Sequence, residues 1–516
     1  MKRKTGKGMT YYITTAIDYV NSRPHLGTAY EKIAADVIAR FHRLAGETVY
    51  FLMGNDEHSL KVEQAAREKG LSPLEHCDQM EEVFRDVWGA LDIEFDDFIR
   101  TTQDRHKAAV SEILNRIQKN GDVFQDDYEG WYCHGCEAFK NEGDVVESKC
   151  PDHPNRELAW LTEKNYYFRL SNYQDFLLDL YEKNPDFIQP DVRRNELLEL
   201  IRGGLENISI SRESANWGVP VPFDPEAVVY VWIDALINYV SGTGWPTDNS
   251  RFEELWPADL HVIGKDITRF HCVYWPAMLK SAGLPLPKKV FGHGFVNMGK
   301  NKMSKSGGKS VDPKELAEHY GTDALRYYLM AEATFGKDLE FGHDRLLVRT
   351  NSDLANGLGN LLSRSISMLC KYRDGIIPQV EGESLIAGTI TTAVNNYESS
   401  MADLKLRQGA EAAMSIVIRA NQLVDEEAPW TLAKDPEKAG RLDRVLYDLL
   451  EGCRCASVLL APFMPKKMIA LQECLKVDKP LADLRISDAA FGALAAGTQL
   501  EKVSPLFPRI EAFEDE

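Results

Sequence analysis

Between residues 11 and 56 the spacing of apolar positions changes period twice. Tyr11 to Ala16 is a β-rich run, broken at Asn21-Ser22-Arg23-Pro24. From Leu26 the apolar residues recur at helical intervals, through Ala29, Ile33, Val37, Phe41 and Leu44, and Gly46 supplies a stop. A second apolar run, Val49 to Met53, ends on Gly54-Asn55-Asp56. Strand, helix and strand in that order predict a βαβ unit, hence a doubly wound parallel sheet. Ligands of such sheets bind beyond the carboxyl ends of the strands, where His25 and Asp56 fall.

Further along, residues 120–225 read as an insertion of mixed short elements around a cysteine cluster. The βα pattern resumes at Val228-Val229-Tyr230-Val231-Trp232-Ile233 and at Leu260-His261-Val262-Ile263-Gly264. From about 345 to 475 almost every segment is helical in period, for example Leu354, Leu358, Leu361 and Leu362, which predicts a bundle. The expected division is a Rossmann-like catalytic domain (1–120 and 225–345), a connective insertion (121–224) and a helical domain (346–516). No run approaches the roughly 18 apolar residues of a membrane span, and no signal-peptide core follows the basic start.

Composition adds two constraints. Sixty Lys and Arg against 79 Asp and Glu give a net charge of −19, a poor balance for a non-specific nucleic-acid coat. Nine cysteines, several of them isolated, fit reduced thiols and a cytoplasmic setting. Cys453 and Cys455 lie two apart on a helical stretch and so face differently, which makes them core thiols rather than a metal pair.

Three motifs carry chemistry. His25-Leu26-Gly27-Thr28 stands where a strand turns into a helix, and a helix N-terminus offers free N–H groups and a positive dipole end to phosphate. Gly27 lets a flat base approach the backbone there. Lys302-Met303-Ser304-Lys305-Ser306, bracketed by glycines, suits a clamp whose ammonium groups follow the charge on a departing pyrophosphate. Alone, either motif could be an ordinary cap or a solvated basic loop; together they point to a nucleoside triphosphate. Finally, Cys133, Cys136, Cys150 and His153 form two knuckles with the spacing of a closed, structural zinc site, His134 being surplus.

The His25 turn and the Lys302–Ser306 loop resemble the signatures of class I aminoacyl-tRNA synthetases. The likeness is closest to the methionyl-tRNA synthetase family. Its carriers are Thr15-Ala16-Ile17-Asp18-Tyr19-Val20-Asn21, Gly54-Asn55-Asp56-Glu57-His58, Tyr230-Val231-Trp232-Ile233-Asp234-Ala235, Ile263-Gly264-Lys265-Asp266-Ile267, Phe270-His271, Trp275-Pro276-Ala277-Met278-Leu279 and Glu427-Ala428-Pro429-Trp430. The resemblance implies a methionine pocket of Ala16, Ile17, Tyr19, Trp232, Tyr239, Ile267 and His271, with Asp56 holding the substrate ammonium. Aromatic and aliphatic walls suit a thioether; plain core packing would equally account for Trp232 and Tyr239. It also implies ATP binding by His25, Gly27, Lys265, Asp266, His293, Gly294 and Lys305, and catalysis by His25, Thr28, Lys302 and Lys305. Mg²⁺ would accompany ATP. Anticodon reading would fall to Asn360, Arg364 and Trp430, although a helix-packing role would also suit Trp430. Leu236 stands where the family can carry proline.

Thr28 departs from the family, whose signature has a second histidine there. A hydroxyl donates one hydrogen bond but carries no charge, so the expectation is weaker stabilisation at the α-phosphate, against the rival that Thr28 is fully competent. Losing one such donor costs about 10²–10³ in rate. Thr28→His should therefore raise the rate of ATP–pyrophosphate exchange; an unchanged rate favours the rival. The expected activity is ATP-dependent ligation of methionine to tRNA through an adenylate, by a monomer. The alternatives are a catalytically impaired tRNA-binding paralogue or another class I synthetase.

Overall fold

The structure is a computed structural model. It describes residues 10–133, 138–140, 149–151, 153–212, 216–298, 301–302, 311–477 and 479–511. The basic start and the acidic end of the chain lie outside these residues.

The first apolar run forms strand β1 (Tyr11–Thr15), followed by helix α1 (Leu26–Leu44) and strand β2 (Val49–Asp56). Strands β3 (Asp97–Arg100), β4 (Ile188–Gln189), β5 (Leu260–Gly264) and β6 (Val290–His293) complete the main sheet. Its order is β4-β6-β5-β1-β2, with β3 and the short strand Asp18–Tyr19 both paired to β2. Every pairing in it is parallel. Because β1 lies between β2 and β5, the chain leaves it on both sides, and a crevice opens at the carboxyl ends. Asp56 is the last residue of β2, and Ala16, Lys265 and Gly294 follow directly on β1, β5 and β6.

Helix α1 is buried continuously from Ala29 to Ala39, since the sheet covers one side and the C-terminal helices the other. Phe41 meets Tyr397 of helix Ala387–Ala402 edge to face at 6.0 Å. Fully buried Arg326 joins the layers. It donates to Asp36 of α1 at 2.5 Å and to the Pro462 and Phe463 carbonyls at 2.9 and 3.1 Å.

Two readings of the sheet change. The run around Val228 does not rejoin the parallel sheet. Its strand, Asp224–Val229, pairs antiparallel with Ser211–Arg212 and Pro220–Val221, and the chain then enters helix Val231–Leu236. A short apolar run cannot separate a buried strand from a buried helix by period, and here it is half of each. Conversely, Ile188–Gln189, inside the stretch read as insertion, supplies the edge strand β4; two ladder residues leave no periodic signal.

The remaining insertion is built on a long antiparallel ribbon, Val123–Cys133 against Ala159–Phe168. The C-terminal half is helical as expected, with Asn360–Arg373, Ala387–Ala402, Leu406–Glu427 and Ala439–Leu460 packed together. Cys453 and Cys455 are both buried in the last of these, and burial pushes the Cys455 thiol up to about 12. Among the described residues no helix is long and apolar enough to cross a membrane.

Candidate active site

A cleft of about 600 Å³ opens at the carboxyl ends of the strands. It is lined by fourteen of the residues expected there: Ala16, Ile17, Tyr19, His25, Gly27, Thr28, Asp56, Trp232, Tyr239, Asp266, Ile267, His271, His293 and Gly294. Leu236 lines it too. The side chains divide into an aromatic end and a helix-terminus end.

At the helix terminus, His25 caps α1. Its Nδ1 accepts the Thr28 N–H at 3.2 Å, while the Thr28 hydroxyl accepts the His25 N–H at 3.1 Å and donates to the His25 carbonyl at 2.8 Å. The two residues thus form a reciprocal cap. Thr28 in this position fixes the His25 backbone and spends its own proton on it. Gly27 is required by the same turn, because a Cβ there would stand 2.9 Å from the His25 ring. On the facing strand end a Cβ at Gly294 would come within 2.2–2.5 Å of the Lys337–Asp338 backbone. Both glycines therefore keep the floor of the cleft thin.

At the aromatic end the Trp232 ring stacks on Phe270 at 4.1 Å and meets Tyr19 edge to face at 6.1 Å. His271 Nδ1 lies 2.9 Å from the Ile267 carbonyl, which can only accept, so that nitrogen carries the hydrogen. Nε2 then accepts the Tyr239 hydroxyl at 2.7 Å. Burial lowers His271 to about 4, so the pair is neutral at neutral pH. A depressed histidine stabilises the fold fully above the unfolded value near 6.5 and loses that contribution as pH falls towards 4, up to roughly 3 kcal/mol. Urea unfolding of the wild type should weaken over that window, and His271→Asn should flatten the slope. An identical slope in the variant would contradict the assignment.

Beneath the cleft runs a buried chain of charge that the sequence did not announce. Lys32 Nζ, on α1, donates to the Ala16 carbonyl at 2.8 Å and faces Asp18 at 2.9 Å and Glu31 at 2.7 Å. Its three donors are fully used. The second Glu31 oxygen lies 2.9 Å from His293 Nε2, and His293 Nδ1 lies 2.7 Å from the Gly294 carbonyl. Burial would raise Glu31, but Lys32 and then His293 reverse this and hold its carboxyl below the usual range. Asp18, Glu31, Asn21, Lys61 and Phe295 also line the cleft. The readable signal is Glu31-Lys32 set between Ala29-Tyr30 and Ile33-Ala34-Ala35.

Not every expected residue is brought in. Lys265 turns to Asp338 at 2.6 Å and lies over the Phe295 ring rather than lining the cleft. Lys302 is described only as backbone, in strand Asn301–Lys302, and Lys305 lies outside the described residues. Of the knuckle residues, Cys133 and Cys150 are both buried, His153 is placed only as the ladder partner of Cys150, and Cys136 lies outside the described residues. Among the described residues no group of three or more His, Cys, Asp or Glu side chains forms a metal site.

In the helical half, Asn360 and Arg364 share one face of their helix, and Asn360 is exposed. Arg364 reaches Asp425 at 3.9 Å, close to where helix Leu406–Glu427 ends at Ala428 in a left-handed turn (φ 43°). Trp430 follows that turn and is 44% exposed, unusual for a packing tryptophan.

A parallel sheet with a histidine-capped helix and a cleft at its strand ends, followed by a helix bundle, defines a class I aminoacyl-tRNA synthetase. The family described as tRNA synthetases class I (M) matches residues 11–159 and 153–366, and the anticodon binding domain of methionyl tRNA ligase matches 377–516. Methionine–tRNA ligase of Caldanaerobacter subterraneus is 46% identical, over 97% of this chain and 79% of its own length. That of Thermosynechococcus vestitus is 43% identical, over 97% of each. A structure of Mycobacterium tuberculosis methionyl-tRNA synthetase in complex with methionyl-adenylate superposes with a TM-score of 0.91 at 42% identity, covering 97% of this chain and all of that one. The chain belongs to the methionyl-tRNA synthetase family.

Proposed function

We propose that this chain activates L-methionine with ATP and transfers it to tRNA. The observation that carries the reading is the neutral Tyr239–His271 pair beside Trp232, in one cleft with the His25-capped helix start. The apolar end takes the thioether, Asp56 supplies the counter-charge of the ammonium, and the α-carboxylate is thereby aimed at the helix terminus. That carboxylate attacks the α-phosphate in line, forming methionyl-adenylate and releasing pyrophosphate. A ribose hydroxyl at the tRNA 3′ end then attacks the aminoacyl carbonyl and AMP leaves. Neither step asks much of acid–base chemistry; orientation and charge stabilisation carry both. His25, Gly27, His293 and Gly294 would hold the nucleotide, Lys302 and Lys305 the pyrophosphate, and Mg²⁺ enters with ATP. Methionine-dependent ATP–pyrophosphate exchange tests the reading, and exchange supported equally by other amino acids would refute it.

The zinc assignment stays part of this proposal. Two buried thiols and a histidine across the ladder fit a sulfur-rich structural site, in which the ion would tie the insertion together. We likewise divide the chain into catalytic, insertion and helical parts, and infer action as a monomer in the cytoplasm.

Anticodon reading is assigned to Asn360, Arg364 and Trp430. An exposed indole together with hydrogen-bonding side chains suits an unstacked base, and such stacking is worth about 1–3 kcal/mol. Trp430→Ala should raise the KM for tRNA by roughly 5- to 150-fold on that scale. Exchange without tRNA should stay at the wild-type rate; an equal loss in both assays would assign Trp430 to the fold.

A further inference from the structure

Two polar residues of the cleft-bearing segments do not themselves line the cleft: His58, two positions after Asp56, and Asp234, between Trp232 and Ala235. They meet underneath it. Asp234 is 1% exposed; His58 Nδ1 donates to its Oδ2 at 2.8 Å and His106 Nε2 to its Oδ1 at 2.9 Å. His106 belongs to helix Asp104–Lys119, so three separate segments converge on one carboxylate.

Each partner is itself held. His106 Nδ1 lies 2.9 Å from the Ser241 hydroxyl, which is itself 3.1 Å from the Asn238 carbonyl. Both ring nitrogens of His106 are therefore engaged. The His58 ring packs edge to face on Trp217 at 5.3 Å, and Trp217 Nε1 donates to the Glu57 carbonyl at 2.6 Å. The Glu57 carboxylate is bound by Arg100 at 2.6 Å. Burial alone would raise Asp234; His106 and then His58 reverse this and keep its carboxyl well below the usual range.

We propose that Asp234, clasped between His58 and His106, is the positioning residue that sets the width of the amino-acid end of the cleft. The clasp fixes the Trp232–Ala235 wall against the strand end that carries Asp56. The proposal rests on the reading that this end takes methionine. Neither imidazole touches substrate; each acts through the wall it anchors. Loosening the clasp should let the pocket admit a longer side chain while leaving the nucleotide end as it was.

The test compares His58→Asn, whose amide can keep a donor at the Nδ1 position, with His58→Leu, which removes it. ATP–pyrophosphate exchange is measured with methionine and with ethionine, one methylene longer. Methionine-supported exchange by the wild type checks the underlying reading separately from the clasp. His58→Leu should raise the methionine KM at least tenfold, hold the ATP KM within about twofold and reduce the preference for methionine over ethionine. His58→Asn should stay within about threefold of wild type on all three. Should His58→Leu yield no folded protein, His106→Gln against His106→Asn asks the same question, since only the longer amide reaches the Nε2 position. If the donor-keeping and donor-lacking variants behave alike, or if the methionine and ATP KM values rise together, the proposal is overturned.

Discussion

Replacing Lys32 by methionine should destabilise the protein by about 3–5 kcal/mol, the usual cost of removing one partner from a buried ion pair. The side chains are close in volume, so the loss is one of charge. Lys32 is 1% exposed and is the shared cation of Asp18 and Glu31, both buried. Without it those carboxylates lie near Asp56 in one acidic cleft, and Glu31 keeps only His293. The Ala16 carbonyl, a wall of the aromatic end, also loses its donor. Methionine-dependent exchange should fall together with the urea midpoint. Adding Glu31→Gln to Lys32→Met should recover part of the stability, because an unpaired charge is removed along with its partner. A single-variant loss under about 1 kcal/mol, or simple additivity in the double, would show that water or relaxation already satisfies these carboxylates.

That network marks the boundary of what the sequence could disclose. His25, Gly27 and Asp56 were legible because strand, turn and helix have different periods, and the junctions between periods are the strand ends where ligands bind. Trp232, Tyr239 and His271 were not legible in that way. Aromatic residues in apolar runs look the same whether they line a pocket or fill a core, and only the resemblance separated the two. The segment around Val228 was misplaced for a related reason: its helix is buried on nearly every side and has no polar stripe to betray its period. Lys32 and Asp234 lay beyond any local reading. Asp18, the distant partner of Lys32, and His58 and His106, the partners of Asp234, are joined by the fold and not by spacing. A charged residue amid apolar neighbours is nevertheless a sequence-level flag, since burial of an unpaired charge is so costly.

The chain's net charge of −19 is reconciled with RNA binding by location. The carboxylates are spread over a large surface and many are paired to arginines or lysines, as at Glu427–Arg441 and Glu411–Arg407. The proposed anticodon contact relies on an aromatic face and on hydrogen bonding more than on a basic field. Long-range repulsion then weakens non-specific RNA binding and falls off with salt, while short-range stacking persists.

Asp56→Asn should lower kcat/KM for methionine by roughly 30- to 5,000-fold, the scale of about 2–5 kcal/mol for truncating one partner of a desolvated charge pair. Asp56 ends β2, is 3% exposed and lines the cleft beside Tyr19, its ladder partner on the short strand. Its shape is preserved in asparagine, so packing and the ladder should survive. Stability should hold or rise slightly, because Asp18 and Glu31 share the cleft and one like charge is gone. The ATP KM should remain near the wild-type value, since the proposed nucleotide end lies at His25, Gly27, His293 and Gly294 rather than at Asp56. An amino-acid analogue lacking the ammonium, such as methionine's α-hydroxy counterpart, supplies the complementary arm. It should bind the wild type poorly and discriminate little between wild type and variant. If methionine affinity is unchanged in Asp56→Asn while turnover falls, the carboxylate acts on the transition state and not on the ammonium. If both ligands weaken equally, Asp56 supports the cleft as a whole and the counter-charge must come from Asp18 or Glu31.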